Sequence, residues 1–149
     1  MLFEKVLIAL AAMFICTFIH ALFMILGYEY VDRRRTHIST HRRVFHKTFL
    51  IWLFIMWMCL GIAIEASVWA VIYLIMPEIT VLPDAQTAFY FSMVTYTSLG
   101  YGDIVLSGNL RVLSAVEAAN GLIIFGWTTA LIFYFIQKIY QPEMTHKEK

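Results

Sequence analysis

Three long apolar runs divide the sequence, and a shorter fourth run lies between the second and the third. The long runs cover residues 6–28, 48–76 and 112–137. Each reaches or exceeds the ~20 residues that an α-helix needs to cross the hydrocarbon core of a membrane. The fourth run, residues 85–97, would form a helix of about 20 Å, which is too short to cross. The pattern therefore predicts an all-α membrane protein with three transmembrane helices and one re-entrant helix that enters and leaves by the same face.

The composition excludes an ordinary water-soluble domain. Hydrophobic residues make up 61% of the 149 positions and charged residues only 14%, whereas soluble domains carry about 25% charged residues. The sequence has no glycine-rich phosphate loop and no Cys/His metal spacing, so we expect no enzymatic activity, no cofactor and no nucleic-acid partner. A cleaved signal peptide is the alternative for the first run, but Glu4 and Lys5 give it no net positive start.

Lysine and arginine are concentrated in two segments that three spans place on one face. These two segments are the loop of residues 29–47 and the C-terminal tail after the last span. Because cytoplasmic loops carry an excess of basic residues, we predict a cytoplasmic loop and C-terminus, an outside N-terminus and a plasma membrane, most simply a prokaryotic inner membrane. The basic loop Arg33–Lys47 is expected to bind anionic lipid headgroups. A pH-sensitive gating element is the alternative, because this loop also carries His37, His41 and His46.

The re-entrant run ends in the motif TSLGYGD, residues 97–103. A short extended segment can replace the water around a cation if its successive carbonyls all point to one axis. An ordinary strand alternates the direction of its carbonyls, so this arrangement requires positive φ at some residues. Glycine adopts positive φ at little cost, and Gly100 and Gly102 occupy alternate positions. Tyr101, between them, is predicted to turn its ring away from the axis and to pack against Tyr90 and Phe91.

Placed between two spanning helices, this motif resembles the selectivity filter of the tetrameric potassium channels. The resemblance covers about half the chain, from the second span through the third, and includes Arg111, Gly121, Phe125 and Gly126. It implies a homotetramer that conducts K⁺ passively through rings of backbone carbonyls. The implied potassium sites lie at Ser98, Leu99, Gly100 and Tyr101, and Gly102 completes the filter. Ser98 and Leu99 stand where the family usually has threonine and valine or isoleucine, so a weakly selective cation channel is the alternative.

The resemblance also divides the chain into parts. Residues 1–28 form an extra N-terminal helix, 29–47 the basic loop, 48–140 a pore domain and 141–149 a short tail. The predicted pore domain consists of an outer helix (48–76), a pore helix (85–97), a filter segment (98–103) and an inner helix (111–138).

Glu65 and Glu117 lie at hydrocarbon depth, where an ionised carboxylate costs roughly 2.5–3.5 kcal/mol unless it is paired or faces protein or water. We expect both to hydrogen-bond the pore helix, through its backbone or the hydroxyls of Ser92 and Thr95, with proton sensing or ion attraction as the alternative. His20 is expected to be near enough in depth to partner Glu65. The predicted filter supports are Tyr90, Phe91, Thr97, Asp103 and Glu117. A different class of function, a non-conducting subunit or a proton-coupled carrier, would use His20, Glu65 and Glu117 instead.

A stripe along the third span predicts a gate. Leu122, Phe125, Thr129 and Phe133 recur at helical spacing and would line an inner vestibule of a tetramer. Phe133 is the candidate constriction, closing by dewetting, and Gly121 and Gly126 are candidate bending points. A lipid-facing anchor is the alternative role for Phe133.

Overall fold

The computed structural model describes residues 2–35 and 43–144. Within these ranges the chain forms four α-helices: α1 Leu2–Arg35, α2 Arg43–Ile75, α3 Ala85–Tyr96 and α4 Arg111–Met144. Helices α1, α2 and α4 are long and apolar enough to span a membrane, and the described ranges contain no strand. The chain is an all-α membrane protein. The predictions for His37, His41 and residues 145–149 lie outside the described residues.

The spanning helices continue past the ends of their apolar runs. Helix α1 extends beyond the predicted boundary at 28 to Arg35, α2 begins at Arg43 rather than 48, and α4 continues beyond 138 to Met144. An α-helix satisfies its own backbone hydrogen bonds in water as well as in lipid, so a change in polarity does not end it. The structure therefore shortens the predicted basic loop 29–47, both ends of which are helical.

Each spanning helix buries one stripe of side chains. The residues of the α1 stripe are mostly small, which allows close approach between helices. The buried residues of α1 and α4 recur every three or four positions, as one face of a helix requires. They are Lys5, Ala9, Ala12, Cys16 and His20 on α1, and Leu113, Glu117, Asn120, Ile124 and Thr128 on α4.

Contacts at the helix ends define how the helices run. The ammonium group of Lys5, at the start of α1, lies 2.6 Å from a carboxylate oxygen of Glu78, just after α2. At the opposite end, Lys138 of α4 bonds the hydroxyl of Tyr28 on α1. Helix α1 therefore runs antiparallel to α2 and parallel to α4.

Candidate functional site

Two caps position the short helix α3. At its start, the Asp84 carboxylate accepts a hydrogen bond from the backbone N–H of Thr87 at 2.8 Å. This bond and a second one from the Thr87 hydroxyl hold the pKa of Asp84 below its usual range. At its end, Thr97 caps the helix, and both its N–H (3.1 Å) and its hydroxyl (2.7 Å) bond the Met93 carbonyl. Helix α3, which covers most of the predicted pore helix 85–97, thus has a defined beginning and end.

The N–H groups of the first three residues of the predicted filter segment all bond back to the last turn of α3. Ser98 donates to the Thr95 carbonyl at 2.9 Å, while Leu99 and Gly100 donate to the Val94 carbonyl at 3.0 and 3.2 Å. In a trans peptide the N–H and the carbonyl of the preceding residue point in opposite directions, and these peptides are trans. The carbonyls of residues 97–99 therefore point away from α3, toward the open side of the chain.

Positive φ angles at alternate residues produce this arrangement. The values are 57° at Ser98, 55° at Gly100 and 76° at Gly102. The prediction for the two glycines is confirmed, whereas the sequence analysis did not foresee Ser98. A left-handed conformation costs a residue with a side chain roughly 1–2 kcal/mol. Ser98 adopts this conformation as the first member of an alternation that continues at Gly100 and Gly102. Counting back two residues from Gly100 is the signal that could have identified Ser98.

The predicted packing of Tyr101 against Tyr90 and Phe91 is not found within one chain. The Tyr101 side chain is 68% exposed, and the ring of Phe91 instead meets Tyr73 edge-on at 5.3 Å. The reason is that the filter segment lies open on the surface of the chain, where a Cβ added at Gly100 would meet nothing within 4 Å.

Tyr90 supports the filter segment in another way. Its hydroxyl donates to the Asp103 carboxylate at 2.8 Å, which joins α3 to the far end of the filter segment. This bond raises the pKa of Tyr90, so the hydroxyl remains a protonated donor at neutral pH. Two of the predicted supports, Tyr90 and Asp103, are therefore brought together as a pair.

Glu117 connects three helices. The fully buried carboxylate accepts hydrogen bonds from the hydroxyls of Ser92 on α3 and Tyr73 on α2, each at 2.5 Å. The Ser92 oxygen also lies 2.6 Å from the Ala66 carbonyl. The predicted contact between Glu117 and Ser92 is confirmed. Among the described residues, Thr95 makes no bond to this carboxylate.

Glu65 makes a second buried link. One carboxylate oxygen lies 3.0 Å from Nδ1 of His20, and the other accepts the Tyr96 hydroxyl at 2.8 Å. The predicted pair of His20 and Glu65 is confirmed. The other ring nitrogen of His20 lies 3.0 Å from the hydroxyl of Thr128. Sequence reasoning missed Thr128 and Tyr96 because their proximity arises only from how the helices pack.

The gating candidates lie in different surroundings. A Cβ added at Gly121 would lie 1.8 Å from the Tyr96 carbonyl oxygen, whereas one at Gly126 would meet nothing within 4 Å. Gly121 therefore has a packing role, because it lets α4 contact the backbone at the end of α3. Phe133 is 62% exposed and Leu122 63% exposed, so this stripe faces away from the chain's own core. Its role as a gate stays a prediction.

The site contains backbone oxygens rather than a side-chain metal centre. Within the described ranges, no group of three or more His, Cys, Asp or Glu side chains could hold a metal ion. A row of carbonyls on an open face instead provides partial negative charges suited to a cation without bound water.

Comparison with models of protein families gives a match. Residues 52–138, more than half of the chain, match the model of a family described as ion channel. Comparison with curated proteins and with solved structures finds no match. The matched range runs from α2 through α3 and the filter segment to α4.

Proposed function

The chain belongs to the ion channel family, and from that premise we propose that it is a homotetrameric channel conducting K⁺ passively and selectively across the plasma membrane. One observation carries the proposal. Three successive N–H groups turn inward to α3, and the segment alternates positive φ at Ser98, Gly100 and Gly102. This is the backbone that a carbonyl-lined filter requires. Potassium ions would bind at the level of Ser98, Leu99, Gly100 and Tyr101.

Four chains are needed to complete such a site. One chain presents its carbonyls from one side only, whereas replacing a hydration shell requires oxygens around the ion. The open filter backbone also could not face lipid, because unsatisfied backbone groups are costly there. Fourfold assembly around the filter meets both requirements.

The surface beside the filter segment supports assembly. A groove of about 380 Å³ is lined by Tyr90, Phe91 and Val94 of α3 together with Ser98 and Ala118. The ring of Tyr101 is exposed and makes no contact with another aromatic ring within the described part of its own chain. In the proposed tetramer, Tyr101 of a neighbouring subunit fills this groove, so that the packing predicted from the sequence forms between subunits.

The basic residues support an orientation with the N-terminus outside and the C-terminus in the cytoplasm. Lys5 and Glu78 mark the outer end of the bundle, which is also the end where α3 begins. Anionic lipid headgroups are the proposed partners of the Arg33–Lys47 region.

The competing functions lead to different measurements. A weakly selective cation channel would follow if Ser98 and Leu99 widen the filter. A proton-coupled carrier would use His20, Glu65 and Glu117, but each of these side chains has hydrogen-bond partners from neighbouring helices, which favours a structural role.

Ion flux from the purified protein in liposomes distinguishes these functions. We expect K⁺ efflux that barium blocks and that Na⁺ gradients do not drive, from particles of about four times 17.3 kDa. Equal K⁺ and Na⁺ flux would favour the weakly selective channel. Flux that depends on a proton gradient would favour the carrier, and conducting monomers or dimers would contradict the assembly.

A further inference from the structure

The side chain of His20 connects the extra N-terminal helix to the pore. It is fully buried, and both ring nitrogens have partners on other helices. Nδ1 lies 3.0 Å from Glu65 on α2, and Nε2 lies 3.0 Å from Thr128 on α4. A single α1 residue therefore joins both spanning helices of the matched pore region.

The connection continues to the filter segment through Glu65. Its second carboxylate oxygen accepts the hydroxyl of Tyr96 at 2.8 Å, and Tyr96 is the last residue of α3 and is fully buried. Two residues later, Ser98 takes up positive φ and begins the filter segment. Because Gly121 of α4 lies against the Tyr96 carbonyl, Tyr96 is held at both its side chain and its backbone.

The two buried carboxylates hold different parts of α3. Glu117 bonds Ser92, in the middle of the helix, whereas Glu65 bonds the last residue. Only Glu65 depends on α1, because Tyr73 and Ser92, the partners of Glu117, belong to α2 and α3. Without His20, the Glu65 carboxylate would keep the Tyr96 bond but would lose its partner on α1, and an unpaired buried carboxylate is strongly unfavourable.

We propose that α1 is a positioning element of the filter: His20 orients Glu65, and Glu65 fixes the Tyr96 hydroxyl and with it the backbone that enters the filter segment. This inference rests on the proposed function of a selective channel. It assigns the extra helix a part in ion selectivity, beyond its part in anchoring the chain in the membrane.

The size of the effect follows from the hydrogen bond at stake. One such bond contributes about 1 kcal/mol net, which corresponds to about a fivefold change in an equilibrium. If Na⁺ passes only through a minor, less selective conformation that the bond disfavours, loss of the bond raises the population of that conformation about fivefold. The Na⁺ permeability then rises about fivefold, and the K⁺/Na⁺ permeability ratio falls by the same factor.

Three variants test the connection at both ends. Tyr96→Phe removes only the hydroxyl. The double variant His20→Leu with Glu65→Leu removes the pair together, so that neither an unpaired buried carboxylate nor an unpaired imidazole is left, although the hydroxyls of Tyr96 and Thr128 lose these partners. Their combination tests whether the two changes act through one connection. The matched control is Trp57→Phe, which removes another hydrogen bond between α1 and α2, from the Trp57 indole to the Phe23 carbonyl at 2.9 Å.

The permeability ratio is measured from reversal potentials of each variant in bilayers, using only particles with the oligomeric mass of the wild type. Tyr96→Phe and the double variant should each lower the ratio about fivefold, their combination should lower it no further, and Trp57→Phe should leave it unchanged. If the double variant fails to assemble, Tyr96→Phe alone decides.

Two results would overturn the inference. One is a wild-type permeability ratio in assembled Tyr96→Phe or in the assembled double variant, because the filter would then be selective without the hydrogen bonds that link His20, Glu65 and Tyr96. The other is an equal fall of the permeability ratio in Trp57→Phe. In that case the loss of any hydrogen bond between α1 and α2 would lower selectivity, and the effect would not be specific to His20 and Glu65. A wild-type protein that carries no selective current would instead refute the proposed function, and the inference with it.

Discussion

Replacing Gly121 by alanine tests the contact that places α3 against α4. The added Cβ would lie 1.8 Å from the Tyr96 carbonyl oxygen and 2.8 Å from its carbon. Real Cβ contacts are not closer than 3.0 Å, so the two backbones would have to separate by about 1 Å. Neither can do so freely, because Tyr96 is also held by Glu65 through its hydroxyl.

The expected cost combines two opposing effects. Overpacking typically destabilises by 1–3 kcal/mol, and a clash with backbone belongs at the upper end, at about 3 kcal/mol. Alanine regains about 1 kcal/mol over glycine within a helix. Gly121→Ala should therefore destabilise the protein by about 2 kcal/mol. Gly126→Ala, whose Cβ meets nothing within 4 Å, should stabilise it by about 1 kcal/mol.

Thermal unfolding of the detergent-solubilised variants, followed by circular dichroism, measures the difference. A gap of about 3 kcal/mol corresponds to roughly 6–12 °C in Tm for a chain of this size. If the two variants unfold at the same temperature, Gly121 does not act through contact with Tyr96.

Four further predictions follow from single contacts. Gly102→Ala forces alanine to a φ of 76° at roughly 1–2 kcal/mol, so liposome flux should lose K⁺ selectivity while expression persists; wild-type selectivity would contradict the filter assignment. Glu117→Gln should conduct almost normally, whereas Glu117→Leu, which leaves the buried Tyr73 hydroxyl unpaired at about 1–3 kcal/mol and removes the link between Ser92 and α4, should weaken the tetramer on size-exclusion chromatography; equal loss of current in both, with tetramers intact, would favour a charge-dependent role. Phe133→Ala should raise the open probability in single-channel recordings without changing selectivity, and an unchanged open probability would place the gate elsewhere. Because hydrogen bonds hold the pKa of Asp84 low, its cap stabilises α3 at neutral pH and is lost as the pH falls through that lowered pKa; Asp84→Ala should unfold earlier than wild type at about pH 7 and match it in strong acid.

The sequence predicts the membrane helices because chain length and apolar runs are read directly against membrane thickness. It predicts α3 for the same reason, as a run too short to cross that begins after Asp84 and ends at the glycine motif. It does not predict that α1 extends to Arg35 and α4 to Met144, because a helix continues into water at little cost and even Pro142 does not end α4 before Met144.

The candidate site was predictable where a residue type fixes the backbone. Gly100 and Gly102 were identified because glycine favours positive φ, and Ser98 was missed because its side chain gives no such signal. The pairing of His20 with Glu65 could be inferred from similar depth along two helices. The extension to Tyr96, and the fit of Gly121 against its carbonyl, depend on how three helices are rotated relative to one another, which hydrophobic spacing alone does not determine.

Residues 98–102 form the potassium-selective filter in the proposed channel. The most direct measurement is the reversal potential of the purified protein in a planar bilayer with K⁺ on one side and Na⁺ on the other. We expect a reversal potential displaced far toward the K⁺ equilibrium potential, and we expect this displacement to disappear in Gly102→Ala. A wild-type current that reverses near zero, with both cations carrying it equally, would contradict the account.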